Sequence, residues 1–144
     1  LSHNDEALAN IGKILELAAL IEAPHFDMRH LIQPNQAFAV DDDLIREIGS
    51  LNRSSLVIVG GLLEGVVTQL SMSALLDGFD VFIPADFVLS GDPSGVAMYL
   101  DRIRAVSGIV LTGHQLFLEL LLRERNADRR SSISSLRKQF SFGS

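Results

Sequence analysis

The chain has 144 residues, the length of about one domain, and its 47% hydrophobic and 21% charged content excludes a disordered chain. The absence of cysteine excludes disulfides, thiolate-bound zinc and a cysteine nucleophile within these residues, and it fits a reducing, cytoplasmic location. The net charge of −6 argues against a nucleic-acid partner, and no apolar run reaches the roughly 18 residues that would span a membrane.

The first predicted element is a helix at the very start of the chain, with Ser2 or Asn4 as its cap and an apolar stripe at helical spacing up to Pro24. A short strand over 25–28, a loop around Pro34 and a short helix over 44–48 are predicted next. An α/β domain of this kind usually begins with a strand, so the helical start is unusual.

The central stretch, residues 55–87, predicts a strand, a glycine turn, a helix and a second strand. The apolar run 56–59 ends in Gly60 and Gly61, the helix extends from about Leu63 to residue 77, and the apolar run 81–83 follows. This is a βαβ unit. Its glycine turn is expected at the carboxyl end of a parallel strand, where open α/β sheets place their ligands.

The remaining elements repeat this alternation. Asp92 followed by proline predicts the start of a helix that runs to about 106, and the run 109–111 predicts a third strand. Thr112 and Gln115 predict a capping box for the next helix. The whole pattern predicts a three-layer α/β fold with a mainly parallel sheet over residues 1–125.

From residue 126 the sequence becomes basic and rich in serine, which predicts a separate tail over 126–144. The run from Arg129 to Ser132 resembles a basophilic kinase site. Leu136, Phe140 and Phe142 are candidates for docking on a neighbouring subunit, and a disordered or loosely packed terminus is the alternative.

The glycine turn supplies the candidate site. Backbone amides at such a turn can hold an anion or an oxyanion, while the spacing of the glycines matches neither a Walker loop nor GxGxxG. Glu64 and Asp86 are the candidate bases, although a tight turn and two capping acids would explain the same residues. The candidate substrate-binding positions are Gly60, Gly61, Leu62, Leu63 and Gly65.

Other nucleophiles and ligands are weaker candidates. Ser71 and Ser73 lie inside the predicted helix without a GxSxG elbow around them. The four histidines have no metal-ligand spacing, so no metal or cofactor is predicted.

Several segments in order resemble the isochorismatase-like cysteine hydrolases, especially the branch related to bacterial YcaC. They are the strand end 56–60, the stretch 74–81 (Ala-Leu-Leu-Asp-Gly-Phe-Asp-Val), Pro84-Ala85-Asp86, the strand end 109–112 and the helix 116–122. The resemblance implies that family's fold and a catalytic Asp-Lys-Cys set, in which the cysteine attacks a carbonyl as its thiolate.

The resemblance also implies that all three catalytic positions are absent or altered. The nucleophile position falls on Val66, which cannot attack a carbonyl. The lysine position falls within 31–36, which contains no lysine; Arg29 and His30 are the nearest cations. The aspartate belongs to a central strand before the first helix. We therefore expect residues before Leu1, or another segment or subunit, to supply that strand, and residues to be missing from the loop 34–43 as well.

Three functions follow as hypotheses, and whether the chain is an enzyme stays open. The first is a catalytically degenerate hydrolase fold acting as a binding or assembly module in a homo-oligomer, with a small-molecule ligand as a further partner. The second is an active hydrolase of a small amide or isochorismate-type substrate that uses Glu64 and Asp86. The third is a nucleotide-binding domain, because the spacing from Gly60 to Asp80 imitates the glycine-to-acid spacing of such domains.

Overall fold

The computed structural model describes residues 3–24, 46 and 48–140. The α-helices with both ends in these residues are α1 (His3–Leu20), α2 (Thr68–Leu76), α3 (Val96–Ala105), α4 (Gly113–Arg123) and α5 (Ala127–Arg137). The strands are β1 (Ser55–Val57), β2 (Asp80–Pro84) and β3 (Ile109–Leu111), and shorter helical turns span Leu63–Val67, Ala85–Phe87 and Pro93–Gly95. The predicted strand over 25–28, the loop over 34–43 and most of the helix over 44–48 lie outside the described residues.

The three strands form one parallel sheet in the order β1-β2-β3. Val57 pairs with Phe82, and Phe82 pairs with Ile109, so these three residues form one row across the sheet. β3 has the bounds of the apolar run that predicts it, β2 extends its run by one residue at each end, and β1 begins one residue before its run and ends two residues before the end of that run. The predicted α/β fold with a parallel sheet is therefore confirmed.

Backbone pairing continues past the carboxyl ends of β1 and β2. The Gly60 amide donates to the Phe87 carbonyl at 2.6 Å, and the Leu63 amide donates to the Leu89 carbonyl at 2.7 Å. These bonds hold the glycine turn against the segment that follows β2.

A first apolar cluster covers one face of the sheet. Val81 and Ile83 of β2 are fully buried in it, under side chains from α2 and α3. Its buried members are Ile48, Ile58, Leu63, Val67, Leu70, Ala74, Phe79, Val81, Ile83, Val88, Leu100 and Ile103.

A second cluster lies on the other face, beneath α1, α4 and α5. Its buried members are Leu17, Phe87, Phe117, Ile133, Leu136 and Phe140. The Phe87 and Phe140 rings stack with their centroids 5.5 Å apart, an offset geometry that adds to the burial of both rings. Helices on both faces of one sheet make the three layers that the sequence predicts.

The two ends of α1 differ from the prediction. Asn4 lies inside the helix and donates to the Ser90 carbonyl instead of capping, and the other predicted cap, Ser2, lies outside the described residues. The helix ends before its proline because Glu22 adopts a positive φ of 56°, and the Ala23 amide donates back into the last turn at 2.8 Å.

The helices that follow β2 and β3 begin in different ways. The predicted capping box of α4 is confirmed, since Thr112 Oγ1 accepts from the Gln115 amide at 3.1 Å and Gln115 Oε1 accepts from the Thr112 amide at 2.9 Å. Asp92 does not cap α3: its carboxylate accepts from the hydroxyls of Ser94 and Tyr99, and α3 begins only after a turn of 3₁₀-helix.

The serine-rich end of the chain contains α5, which packs on its own chain. Ile133, Leu136 and Phe140 are buried in the second cluster. Asn126 caps the helix, because its side chain accepts from the Arg129 amide. Leu136 and Phe140 are thus buried within their own chain, so for these two residues the predicted docking on a neighbouring subunit is wrong. Phe142, the third predicted docking residue, lies outside the described residues.

Candidate functional site

The glycine turn, residues 60–67, leads from the carboxyl end of β1 into α2. Gly60 and Gly61 have φ values of +70° and +60°, in the left-handed region that glycine enters at little cost. A Cβ atom at Gly61 would lie 2.5 Å from Val66 Cγ1. Both the backbone conformation and the packed Val66 side chain therefore require glycine at position 61.

Several amides of this turn are already bonded within the chain. Gly60 and Leu63 donate to carbonyls of the segment after β2, while Gly65 and Val67 donate to the Leu62 carbonyl at 3.0 and 3.1 Å. An amide that donates to a carbonyl is not free to bind an anion. These four amides are therefore not available to bind an anion at the predicted site.

The side chains of the turn divide between core and surface. Leu63 and Val67 are buried in the first cluster, so they contribute to packing. Val66 is half-buried and packs against the same cluster, whereas Leu62 is 46% exposed. The carbon atoms of Val66 thus fill the inner side of the turn, at the position where the family resemblance expects a nucleophile.

Glu64 holds the loop that follows β2. Its Oε1 accepts from the Gly91 amide at 2.6 Å, and its Oε2 accepts from the Ser90 hydroxyl at 3.1 Å. The Ser90 hydroxyl in turn accepts from the Asp92 amide at 3.0 Å. These bonds make Glu64 a loop-closing residue, with both carboxylate oxygens engaged.

Asp86 lies just beyond β2, where its Oδ1 accepts from the Gly113 amide at 2.7 Å. Gly113 is the first residue of α4, and the helix dipole favours an anion there. Burial raises the pKa of the Asp86 carboxyl above its ordinary value of 3.8, although the Gly113 hydrogen bond acts in the opposite direction. The charge of Glu6 adds to the rise and that of His3 opposes it.

Helix α1 contributes polar contacts that the sequence did not predict. Asn4 pairs with the Ser90 backbone in both directions, at 2.7 and 2.8 Å. Asn10, whose side chain is fully buried, donates to the Asp86 carbonyl at 3.2 Å. An asparagine within an apolar helical stripe is the signal that could have identified this contact, because a buried amide needs partners.

The two candidate bases, Glu64 and Asp86, make separate structural contacts. Glu64 binds Gly91 and Asp86 binds Gly113, so each carboxylate fixes a different loop. Asp80 is the first residue of β2 and lies at the amino edge of the sheet, opposite the edge that carries the glycine turn. The glycine-to-acid spacing therefore does not form a dinucleotide site, and the third hypothesis is wrong on this point.

Two cavities lie near α1. The larger, about 390 Å³, is an open groove between α1 and α5, and the smaller is about 70 Å³. The larger is lined by Glu16, Leu20, Ser131, Ser132, Ser135, Leu136 and Gln139, and the smaller by His3, Asn4, Ser90 and Pro93. Neither is lined by Glu64, Val66 or Asp86.

The weaker candidates also have structural partners. The buried Ser71 hydroxyl donates to the Val67 carbonyl at 2.5 Å, and His114 Nδ1 lies 2.5 Å from an Arg137 guanidinium nitrogen. Among the residues that the structure describes, no group of three or more His, Asp or Glu side chains is arranged to hold a metal ion. No helix in the same residues is long and apolar enough to cross a membrane.

Solved structures of two bacterial proteins share this fold. YcaC from Pseudomonas aeruginosa, bound to hexane-2,5-diol and covalent acrylamide, matches with a TM-score of 0.63 and 19% identity over 75% of this chain. The YcaC gene product of Escherichia coli, described as an octameric hydrolase of unknown specificity, matches with a TM-score of 0.63 and 18% identity over 93% of this chain.

The match spans 65% of the Pseudomonas chain and 83% of the Escherichia coli chain. A scan of protein-family models and a search of curated proteins found no match. At this identity the likeness establishes the fold, and in that respect it confirms the predicted resemblance to the YcaC-related branch.

Proposed function

We propose that this chain is a catalytically degenerate protein of hydrolase fold, acting as a binding or assembly module in a homo-oligomer. The observation that carries the proposal is Val66. Its Cγ1 atom occupies the space that a Cβ atom at Gly61 would need, 2.5 Å from that position. A hydrocarbon at this position has no electron pair with which to attack a carbonyl.

The surroundings of Val66 support the same reading. Glu64 is the one ionisable residue in the turn, and both of its oxygens accept hydrogen bonds from the 90–91 segment. Recruiting it as a base would break those bonds, each worth about 1.5–3 kcal/mol when the acceptor is charged.

Assembly is proposed from two observations. The Escherichia coli protein of the same fold is described as octameric. This chain is 47% hydrophobic at 144 residues, which favours burial of apolar surface between subunits. A cytoplasmic location belongs to the proposal, since a chain without cysteine needs no oxidising compartment.

One observation favours the alternative, an active hydrolase of a small amide or isochorismate-type substrate. Asp86 stands just beyond the carboxyl end of β2, and burial raises its pKa above the ordinary value of 3.8, the direction that favours a carboxyl group acting as a base. In that case Asp86, and not Glu64, would be the base that activates water.

Hydrolysis assays separate the two functions. The purified chain is incubated with a panel of small amides and vinyl ethers, and product formation is followed by NMR. We expect rates equal to the buffer background. Turnover above background that disappears in Asp86→Asn but persists in Glu64→Gln would establish the alternative and overturn the proposed loss of catalysis.

A further inference from the structure

The sheet has an apolar row that neither cluster covers. Val57, Phe82 and Ile109 are paired in register across β1, β2 and β3, so their side chains share one face. Val57 is 48% exposed, Ile109 is 41% exposed and Phe82 is half-buried. None of the three belongs to the first or the second cluster.

The cover on this face is incomplete along the strands. Val59, two residues after Val57, packs against the second cluster, and Pro84, two residues after Phe82, is buried. Within the part of the chain that the structure describes, helices α1, α4 and α5 thus cover the carboxyl half of the face and leave the amino half open. Parallel sheets are normally covered on both faces, so an open apolar row indicates a missing neighbour.

Opposite charges flank this row at the amino edge of the sheet. Asp80 pairs with Ser55, one row below Val57 and Phe82, and is exposed. Arg53, two residues before Ser55, is also exposed. Asp80 and Arg53 thus put an anion and a cation near the amino end of the apolar row.

We infer that a second copy of this chain docks on this surface about a two-fold axis, an inference that rests on the proposed assembly function. A two-fold interface uses the same patch on both subunits, so the patch must be complementary to itself. Here the apolar rows would face each other, and Arg53 of each copy would lie opposite Asp80 of the partner subunit. A patch with only one sign of charge would repel its own copy.

The first experiment measures self-association by sedimentation velocity over a range of protein concentrations. Val57→Asp is expected to raise the dissociation constant at least tenfold, because it places a charge in the apolar row. The matched control is Leu122→Asp, which changes an 82% exposed leucine on α4 and is expected to leave association unchanged. Circular dichroism of each variant verifies folding.

The second experiment tests these two charges by mixing. Arg53→Glu and Asp80→Lys are each expected to weaken self-association, since each puts like charges opposite one another. An equimolar mixture of the two variants should recover wild-type association, because every cross-pair is again of opposite sign. Pairing within one chain cannot produce this recovery.

The outcomes separate this surface from the proposed function. A wild-type chain that remains monomeric at all concentrations overturns both. A wild-type oligomer that is unaffected by Val57→Asp, or whose charge variants do not recover on mixing, overturns the surface and leaves assembly standing. Dissociation by Leu122→Asp alone would place the interface on α4 instead.

Discussion

Asp86 joins the end of β2 to the start of α4 through one half-buried carboxyl group. Burial disfavours its charged form, and the Gly113 amide at the helix start favours it. Burial is the larger effect, so the folded chain holds the proton more tightly than the unfolded chain. Its contribution to stability is therefore fully present below the ordinary pKa of 3.8 and is lost as the pH rises through the higher folded pKa.

This sign gives a prediction for Asp86→Asn. The asparagine carbonyl can still accept from Gly113, but the variant no longer ionises. Its free energy of unfolding relative to wild type should therefore increase as the pH rises from below 3.8 through the folded pKa. Urea unfolding followed by circular dichroism at half-unit pH steps measures the difference. A difference that decreases with rising pH would contradict the assignment.

The sequence identifies these acids but not their partners. Glu64 and Asp86 are candidates because each follows an apolar strand run. Their partners, Gly91 and Gly113, are each 27 residues away, at positions that only the folded sheet brings together. Local spacing therefore predicts which residues reach the carboxyl edge, and it cannot predict whether they remain free for chemistry.

At the scale of elements, the glycine turn was predicted in position but not in form. Gly60 and Gly61 predict a tight turn after a strand, and in the structure both have positive φ. The chain kinks at Gly65 on its way into α2, because the φ and ψ of Gly65, −123° and −105°, lie outside the helical region. No local propensity in the sequence predicts this kink.

A prediction for this element concerns Gly61→Ala. The left-handed backbone should cost an alanine about 1–2 kcal/mol, and the collision with Val66 should add about 1–3 kcal/mol. Gly78→Ala is the matched control, because Gly78 has φ of +91° but open space around its Cβ position. Chemical unfolding should show a clearly larger loss of stability for Gly61→Ala.

The double variant Gly61→Ala/Val66→Ala isolates the collision. Removing Cγ1 of Val66 should recover part of the loss, which gives a coupling free energy of about 0.5 kcal/mol or more between the two sites. Strict additivity of the two single changes would show that Val66 does not fill the inner side of the glycine turn. That result would contradict the packing of Val66 on which the proposed loss of catalysis rests.

At the scale of the whole molecule, two clusters pack on opposite faces of one sheet. The change in composition at residue 126 predicts a tail, yet α5 belongs to the second cluster. Its signal is sparse: Ile133, Leu136 and Phe140 stand three and four residues apart among serines and basic residues. That spacing is one helical stripe, and it was obscured because average composition dilutes three apolar residues in a polar segment.

Because α5 is packed into the second cluster, we expect it to unfold together with the sheet and the first cluster. Ile133→Ala, at a fully buried position, should lower the free energy of unfolding by about 2–5 kcal/mol. Ser134→Ala, an exposed neighbour on the same helix, is the control and should change it by less than about 0.5 kcal/mol.

Tyr99 reports which parts of the molecule unfold together, because it is the single tyrosine of a chain without tryptophan and packs against the first cluster. Its fluorescence should follow the same transition as circular dichroism at a fixed protein concentration, and Ile133→Ala should shift both signals equally. If the variant lost helical signal at low urea while the tyrosine transition stayed in place, α5 would unfold independently of the rest of the domain. The second face of the sheet would then depend on other residues for its stability.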